Sequence, residues 1–144
     1  MKKVKIAGRE VFPIGLGTLK MEDKVDTFDQ EVEAIRAGLD HGAQLIDTAE
    51  MYGSGNSEQL VGPIEPYERE NLFLVSKVLP SNASKKQLPV SLDNSLKRLN
   101  TDYSDLYLLH WQGGIPIEET IEAMEKAKTQ GKIKAWGVSN FDYF

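Results

Sequence analysis

The sequence predicts an α/β protein built on a parallel sheet. Short apolar runs alternate with amphipathic helical patterns along nearly the whole chain. Strand, helix, strand, helix in that order is the pattern of a parallel sheet with crossover helices. Some runs, Leu72-Phe73-Leu74-Val75 most clearly, are apolar at successive positions, as strands buried on both faces are. The polar residues that end these runs recur roughly every 30 residues, the length of one βα unit.

Residues 4–7 and 10–13, joined by Gly8-Arg9, predict a short hairpin at the start. Ile14-Gly15-Leu16-Gly17-Thr18 follows as a brief, glycine-rich strand. From Phe28 the apolar positions 28, 32, 35 and 39 form one helical stripe. Thr27 with Gln30 offers a capping box at its start, and Gly42 suits its end. Leu45-Ile46 is the next strand, followed by a polar loop with Gly53, Gly55 and Asn56. A short helix is expected over 57–61, stopping near Gly62-Pro63. After the strand at 72–75, Ser84 with Gln87 caps a helix whose stripe is Leu92, Leu96 and Leu99. Leu106-Tyr107-Leu108-Leu109 is a further strand. Pro116 opens a helix with Ile117, Ile121 and Met124 on one face, Glu122 paired with Lys126, and Gly131 as its stop. Residues 133–138 close the series. Pro63, Pro66 and Pro80 fall at connections, where proline costs least.

What ends each strand carries the chemistry. Leu45-Ile46 ends in Asp47, the run at 72–75 in Ser76-Lys77, the run at 106–109 in His110, and the last in Ser139-Asn140. In a parallel α/β sheet all C-terminal strand ends lie on one side. A carboxylate, an ammonium, an imidazole and an amide therefore reach one rim. Each also has a plainer reading alone: Asp47 as a turn cap, Lys77 as a solvated side chain, His110 as a core histidine, Ser139-Asn140 as a helix N-cap. Together, at matching strand ends, they form a constellation.

Tyr52 joins them through the spacing Asp47-x4-Tyr52 on a glycine-punctuated loop. Tyrosine normally titrates near pH 10, and an adjacent lysine cation stabilises the tyrosinate. A carboxylate would hold that lysine in place, and an imidazole could donate to a developing oxyanion. Asp47, Tyr52, Lys77 and His110 thus form a proton-delivery set for an electrophilic carbonyl. No nucleophile with its own base accompanies them. Proton delivery of this kind calls for an external reductant, a hydride-carrying cofactor. Gly15-Leu16-Gly17 lacks the third glycine of a dinucleotide fingerprint, so such a cofactor is not held in the Rossmann manner. His41, at a helix end in Asp40-His41-Gly42, is expected to meet the last carbonyls. Asn82-Ala83-Ser84 reads as loop plus helix cap.

Composition sets the frame. Hydrophobic residues at 40% and charged residues at 27% are ordinary for a globular domain and exclude disordered and collagen-like classes. A net charge of −5 argues against a broad nucleic-acid surface. With no cysteine, disulfides and Cys-ligated metals are excluded; Asp47 and His110 could ligate a metal in principle, but no His-rich or acidic cluster backs one, and no metal is expected. No apolar run reaches membrane-spanning length and Met1-Lys2-Lys3 leads into no signal segment, so the expectation is a soluble cytoplasmic protein.

The chain resembles the N-terminal part of an aldo-keto reductase. The matching stretches are Gly15-Leu16-Gly17-Thr18, Leu45-Ile46-Asp47-Thr48-Ala49-Glu50-Met51-Tyr52-Gly53, Val75-Ser76-Lys77, Asp105-Leu106-Tyr107-Leu108-Leu109-His110-Trp111 and Gly137-Val138-Ser139-Asn140-Phe141. The resemblance implies a (β/α)8 TIM-type barrel with an N-terminal hairpin at its bottom, and NADPH-dependent reduction of aldehydes or ketones, with NADH not excluded. It implies Tyr52 as proton donor, Lys77 and Asp47 as its tuning partners, and His110 as the residue orienting the carbonyl. Asp47 would also contact the nicotinamide ribose, Ser139 and Asn140 the carboxamide, and Thr18 and Leu19 would lie near the cofactor. Trp111 would line the substrate pocket. Leu19 departs from the tryptophan many members carry, which changes the wall of that pocket.

A barrel of this type takes about 250 residues. Strands at Ile14, Leu45, Leu72, Leu106 and Ile133 make roughly five of its eight units. The expectation is a single domain over residues 1–144, a barrel truncated to about its first five βα units, with the family's adenosine and 2′-phosphate contacts outside it. Open sheet edges would then favour self-association. Two alternatives stand beside this: an open doubly wound sheet, and a non-catalytic half-barrel acting as a self-associating or binding module.

Overall fold

The computed structural model describes residues 1–21, 25–62 and 64–142. Pro63, expected at a connection, lies outside them.

The chain opens with an antiparallel hairpin of β1 (Val4–Ile6) and β2 (Arg9–Val11), paired Val4 to Val11. Its turn is Ala7-Gly8, with φ of 48° and 83°. Two successive left-handed residues are what a two-residue hairpin turn demands. The turn therefore sits one residue earlier than Gly8-Arg9, and Arg9 belongs to β2.

Five strands follow: β3 (Leu16–Gly17), β4 (Leu45–Asp47), β5 (Phe73–Val78), β6 (Ser104–Leu109) and β7 (Ile133–Val138). They form one parallel sheet in the order β3-β4-β5-β6-β7. Between them lie α1 (Phe28–Asp40), α2 (Asn56–Val61), α3 (Leu88–Arg98) and α4 (Ile117–Thr129). A doubly wound sheet reverses its strand order at a switch point; this one never does, which rules out that alternative. Right-handed crossovers between sequential neighbours place all four helices on one face. The sheet is an arc of a (β/α) barrel, five units long.

Packing follows the alternation of strand side chains. Ile46, Leu74, Val78, Tyr107, Leu109 and Ile133 turn toward the helices and pack in two clusters with residues such as Ile35, Leu60, Leu92, Leu96 and Met124. Phe73 and Val75 point the other way, into a third cluster with Val11 of the hairpin, flanked by Ile6, Leu45, Leu106 and Leu108. The hairpin thus covers the inner face at the N-terminal end of the strands. Arg9 fixes it there by donating to the Leu72 carbonyl (2.9 Å) and to Asp105 Oδ1 (3.0 Å). Asp105, 2% exposed, also takes Arg69 Nη2 at 2.8 Å and the Leu74 N–H at 2.9 Å.

Several local expectations are corrected. Thr27 does not cap α1 through its side chain, because a 3-10 turn over Val25–Thr27 runs straight into the helix. Phe28 is 37% exposed, so the buried stripe of α1 begins at Val32. Ser84 Oγ does accept the Gln87 N–H (3.0 Å), but α3 begins after it, at Leu88. In α4 the buried residues are Thr120, Ala123, Met124 and Ala127, while Ile121 is 38% exposed. Glu122 pairs with Lys85 of the loop before α3 at 2.6 Å, not with Lys126. His41 meets the Ala37 carbonyl at the end of α1, as expected.

Candidate active site

The rim at the C-terminal strand ends is assembled by register. Gly17 of β3 stands opposite Asp47 of β4, Asp47 opposite Val75 of β5, and Lys77 of β5 opposite Leu108 of β6. The pairing continues one bond beyond the strands: His110 N–H donates to the Val78 carbonyl (3.0 Å) and Ser139 N–H to the Leu109 carbonyl (2.9 Å). Asp47, Lys77, His110 and Ser139 are thereby placed on one side of the sheet by backbone geometry alone.

Lys77 is the centre. It is 5% exposed, and its ammonium donates to Asp47 Oδ1 at 2.8 Å, to the Thr48 carbonyl at 2.9 Å and to the Tyr52 hydroxyl oxygen at 3.2 Å. An ammonium has three protons to give, and three oxygens take them. Because the Tyr52 oxygen accepts from Lys77, the phenolic proton is free to go elsewhere. The Lys77 nitrogen also stands 4.9 Å from the Tyr52 ring centre.

Tyr52 reaches this position on a sharp turn. Gly53, Ser54 and Gly55 all carry positive φ (55°, 54° and 96°), a run in which two glycines relieve the steric cost of left-handed backbone. The Tyr52 ring meets His110 edge-on at 5.7 Å between centres, and His110 meets Trp111 at 4.8 Å.

His110 is 6% exposed, and its Nδ1 is buried without a hydrogen-bond partner among the described residues. Burial first and the Lys77 cation second push its pKa below the usual 6.5, against a smaller opposing pull from Asp47. The imidazole is therefore neutral at pH 7, with one N–H to donate.

The structure brings Asp47, Tyr52, Lys77 and His110 into direct contact and attaches the other expected residues to their edges. Asn140 donates to the His110 carbonyl (2.9 Å) and to Ser139 Oγ (3.1 Å). Thr18 is fully buried, with its hydroxyl on the Asp47 carbonyl at 3.0 Å, so it braces Asp47 from the β3 side. Leu19 and Trp111 are 60% and 38% exposed.

Two carboxylates that sequence reasoning left aside also hold the rim. Glu50, within the Asp47–Tyr52 stretch, accepts the Leu79 N–H at 2.6 Å and Asn82 Nδ2 at 3.1 Å, tying the β4 and β5 loops together. Glu58 is fully buried behind the sheet, bound by Ser76 and Arg98. Its one sequence signal was position, a charge in a short helix next to Leu60 and Val61.

A singly wound parallel sheet with ionisable side chains gathered at its C-terminal edge is the arrangement of a (β/α)-barrel domain. The aldo/keto reductase family model matches residues 13–143, and the chain belongs to that family. It is 50% identical over 143 residues to methylglyoxal reductase YeaE of Escherichia coli, covering 99% of this chain and 50% of that protein. Aldo-keto reductase YhdN of Bacillus subtilis is 43% identical, with 93% and 45% covered. Among solved structures, an aldo-keto reductase from Klebsiella pneumoniae in complex with NADPH superposes with a TM-score of 0.92 at 50% identity, covering 99% of this chain and 51% of that one. The chain spans about half the length of the relatives it matches.

The depressed pKa of His110 has a consequence for stability. As pH falls through the free imidazole value of about 6.5, the unfolded chain takes up the proton before the folded one does. Stability is then present above that pH and is lost below it. Thermal unfolding followed from pH 7.5 to 5.5 is expected to show a smaller drop in Tm for His110→Gln than for the parent chain. Equal drops would contradict a neutral, buried His110.

Proposed function

We propose that this chain carries the acid–base centre of an NADPH-dependent reductase that converts small aldehydes or ketones to alcohols. The observation that supports it most is Lys77, whose buried ammonium joins Asp47 to the Tyr52 hydroxyl at the rim.

In this reading Tyr52 is the proton donor. Its hydroxyl accepts from Lys77, so its own proton points to a carbonyl oxygen above the rim, and Lys77 supports the charge left on the phenolic oxygen. Asp47 holds Lys77 in place. Neutral His110 donates its N–H to the same carbonyl oxygen and orients it. Leu19 and Trp111, exposed, frame the substrate side.

The residues fit a nicotinamide cofactor. A side chain at Gly17, opposite Asp47, would meet nothing within 4 Å, so the rim beside Asp47 is open to a flat ring. The Asp47 side chain remains 37% exposed. Asp47 would hold a ribose hydroxyl, Ser139 and Asn140 the carboxamide, with Thr18 beneath. When bound, that cofactor supplies the hydride to the carbonyl carbon. NADPH is the favoured form, since related structures hold NADP or NADPH. A methylglyoxal reductase among the relatives favours small reactive carbonyls as substrates. Among the described residues no helix is long and apolar enough to cross a membrane. We place the activity in the cytoplasm, where reduced nicotinamide is at hand and a chain without cysteine needs no oxidising compartment.

A second reading is favoured by the strand order. Among the described residues, β3 and β7 each have one unpaired edge in this sheet, and such edges template pairing with another chain. In that reading the 144-residue chain alone is a self-associating half-barrel without turnover.

Titration with NADPH, followed by cofactor fluorescence, separates the two. The reductase reading expects a saturable change at submillimolar cofactor; a flat titration supports the half-barrel. In an active form, Tyr52→Phe is expected to lower carbonyl reduction by about 100-fold or more while cofactor binding persists. Normal turnover in that variant would remove Tyr52 as the acid. Light scattering on the isolated chain is expected to show an oligomer, and a stable monomer would contradict the edge argument.

A further inference from the structure

We infer that Glu58 is a positioning residue for the acid centre: one buried carboxylate, gripped by Ser76 and Arg98, sets where Tyr52 stands relative to Lys77. This rests on the reading of Tyr52 and Lys77 given above.

Glu58 is the third residue of α2, the helix that follows directly on the Tyr52–Gly55 turn. It is fully buried, where an ionised carboxylate persists only if both oxygens are engaged. Both are. Ser76 Oγ donates to Oε1 at 2.5 Å and Arg98 Nε to Oε2 at 2.6 Å.

The two partners lead to the two halves of the acid centre. Ser76 immediately precedes Lys77 on β5, and strand alternation turns them to opposite faces. Holding Ser76 from the helix side therefore fixes the backbone from which Lys77 reaches inward. Arg98, at the end of α3, lies under the Tyr52 turn. A Cβ built on Gly55 (φ 96°) would fall 2.9 Å from Arg98 Nε and 3.0 Å from its Cδ. The left-handed backbone favours glycine there, and its lack of a side chain lets the turn rest on the arginine. Arg98 also donates to Ser95 Oγ (3.3 Å), which ties it to its own helix. The carboxylate thus clamps the strand carrying Lys77 to the support beneath the turn carrying Tyr52. The 3.2 Å contact between them is closed from behind the sheet.

A merely structural Glu58 would pin α2 to the sheet and affect stability only. The distinguishing readout is the environment of Tyr52 itself. In the 144-residue chain labelled at tyrosine 13Cζ, the Tyr52 resonance is assigned by its loss in Tyr52→Phe. Ser76→Ala removes one hydrogen bond to Glu58 and changes no charge, so a moved resonance reports displacement and not a lost field. The expected result is that the Tyr52 signal moves by more than its linewidth while those of Tyr67 and Tyr103 stay. Glu58→Gln is expected to move it further. In an active form, either variant is expected to lower kcat, Glu58→Gln by about 100-fold, with the cofactor KM unchanged. A Tyr52 signal that stays put in folded Ser76→Ala overturns the inference, even should Glu58→Gln fail to fold. The spectroscopic result stands apart from catalysis: turnover in Tyr52→Phe would sink the acid assignment and leave the clamp intact.

Discussion

A buried ammonium must find three acceptors or forfeit its charge, and the arrangement of this molecule follows from where Lys77 finds them. One is a carboxylate on the neighbouring strand, one a backbone carbonyl just past that strand, and one the Tyr52 hydroxyl. All three come from the stretch between Asp47 and Tyr52. That requires β4 and β5 to be parallel neighbours, with the lysine two residues farther along its strand than the residue paired with Asp47. A one-residue slip would turn Lys77 toward the helices and put Ser76 in its place. Register is therefore a condition of this hydrogen-bond network as well as of the core.

Each side of the sheet secures that register differently. On the inner face the hairpin fills the bottom, with Val11 against Phe73 and Val75 and Arg9 fastened to Asp105. On the helix face Glu58 holds β5 through Ser76, and Arg98 carries the force to α3. Charge is used sparingly but in the same manner at both places: a carboxylate with almost no exposure, satisfied by an arginine that keeps partial access to water. Such pairs contribute little net stability after desolvation, but leaving either partner alone is costly, which suits parts that must not shift.

Much of this was legible in the sequence because strand-end residues are separated along the chain by a regular interval. The sequence alone assigns Asp47, Lys77, His110 and Ser139 to one rim, given only that the sheet is parallel. Tyr52 needed the glycines around it. The helix details were harder. Thr27 has the residue type of a cap, but a 3-10 turn arriving from Val25 leaves no free helix start for it to cap. Ile121 fits an apolar stripe by spacing, but the smaller Thr120, Ala123 and Ala127 let α4 approach the sheet on another face. Glu122 had a lysine four residues away and found a closer one on the loop before α3. Glu58 was invisible for a similar reason: its burial is decided by Ser76 and Arg98, 18 and 40 residues along the chain. Local pattern reports periodicity well, but it finds long-range polar partners only where a regular strand interval brings them together, as for Asp47 and Lys77.

Lys77 and Asp47 are coupled in one hydrogen-bond network at this rim. A double-mutant cycle on unfolding free energy, using Lys77→Met, Asp47→Asn and the pair together, measures that coupling directly. The expected interaction energy is about 1 kcal/mol or more, typical of residues sharing one hydrogen-bond network. Additivity within about 0.3 kcal/mol, the behaviour of distant and independent sites, would contradict it.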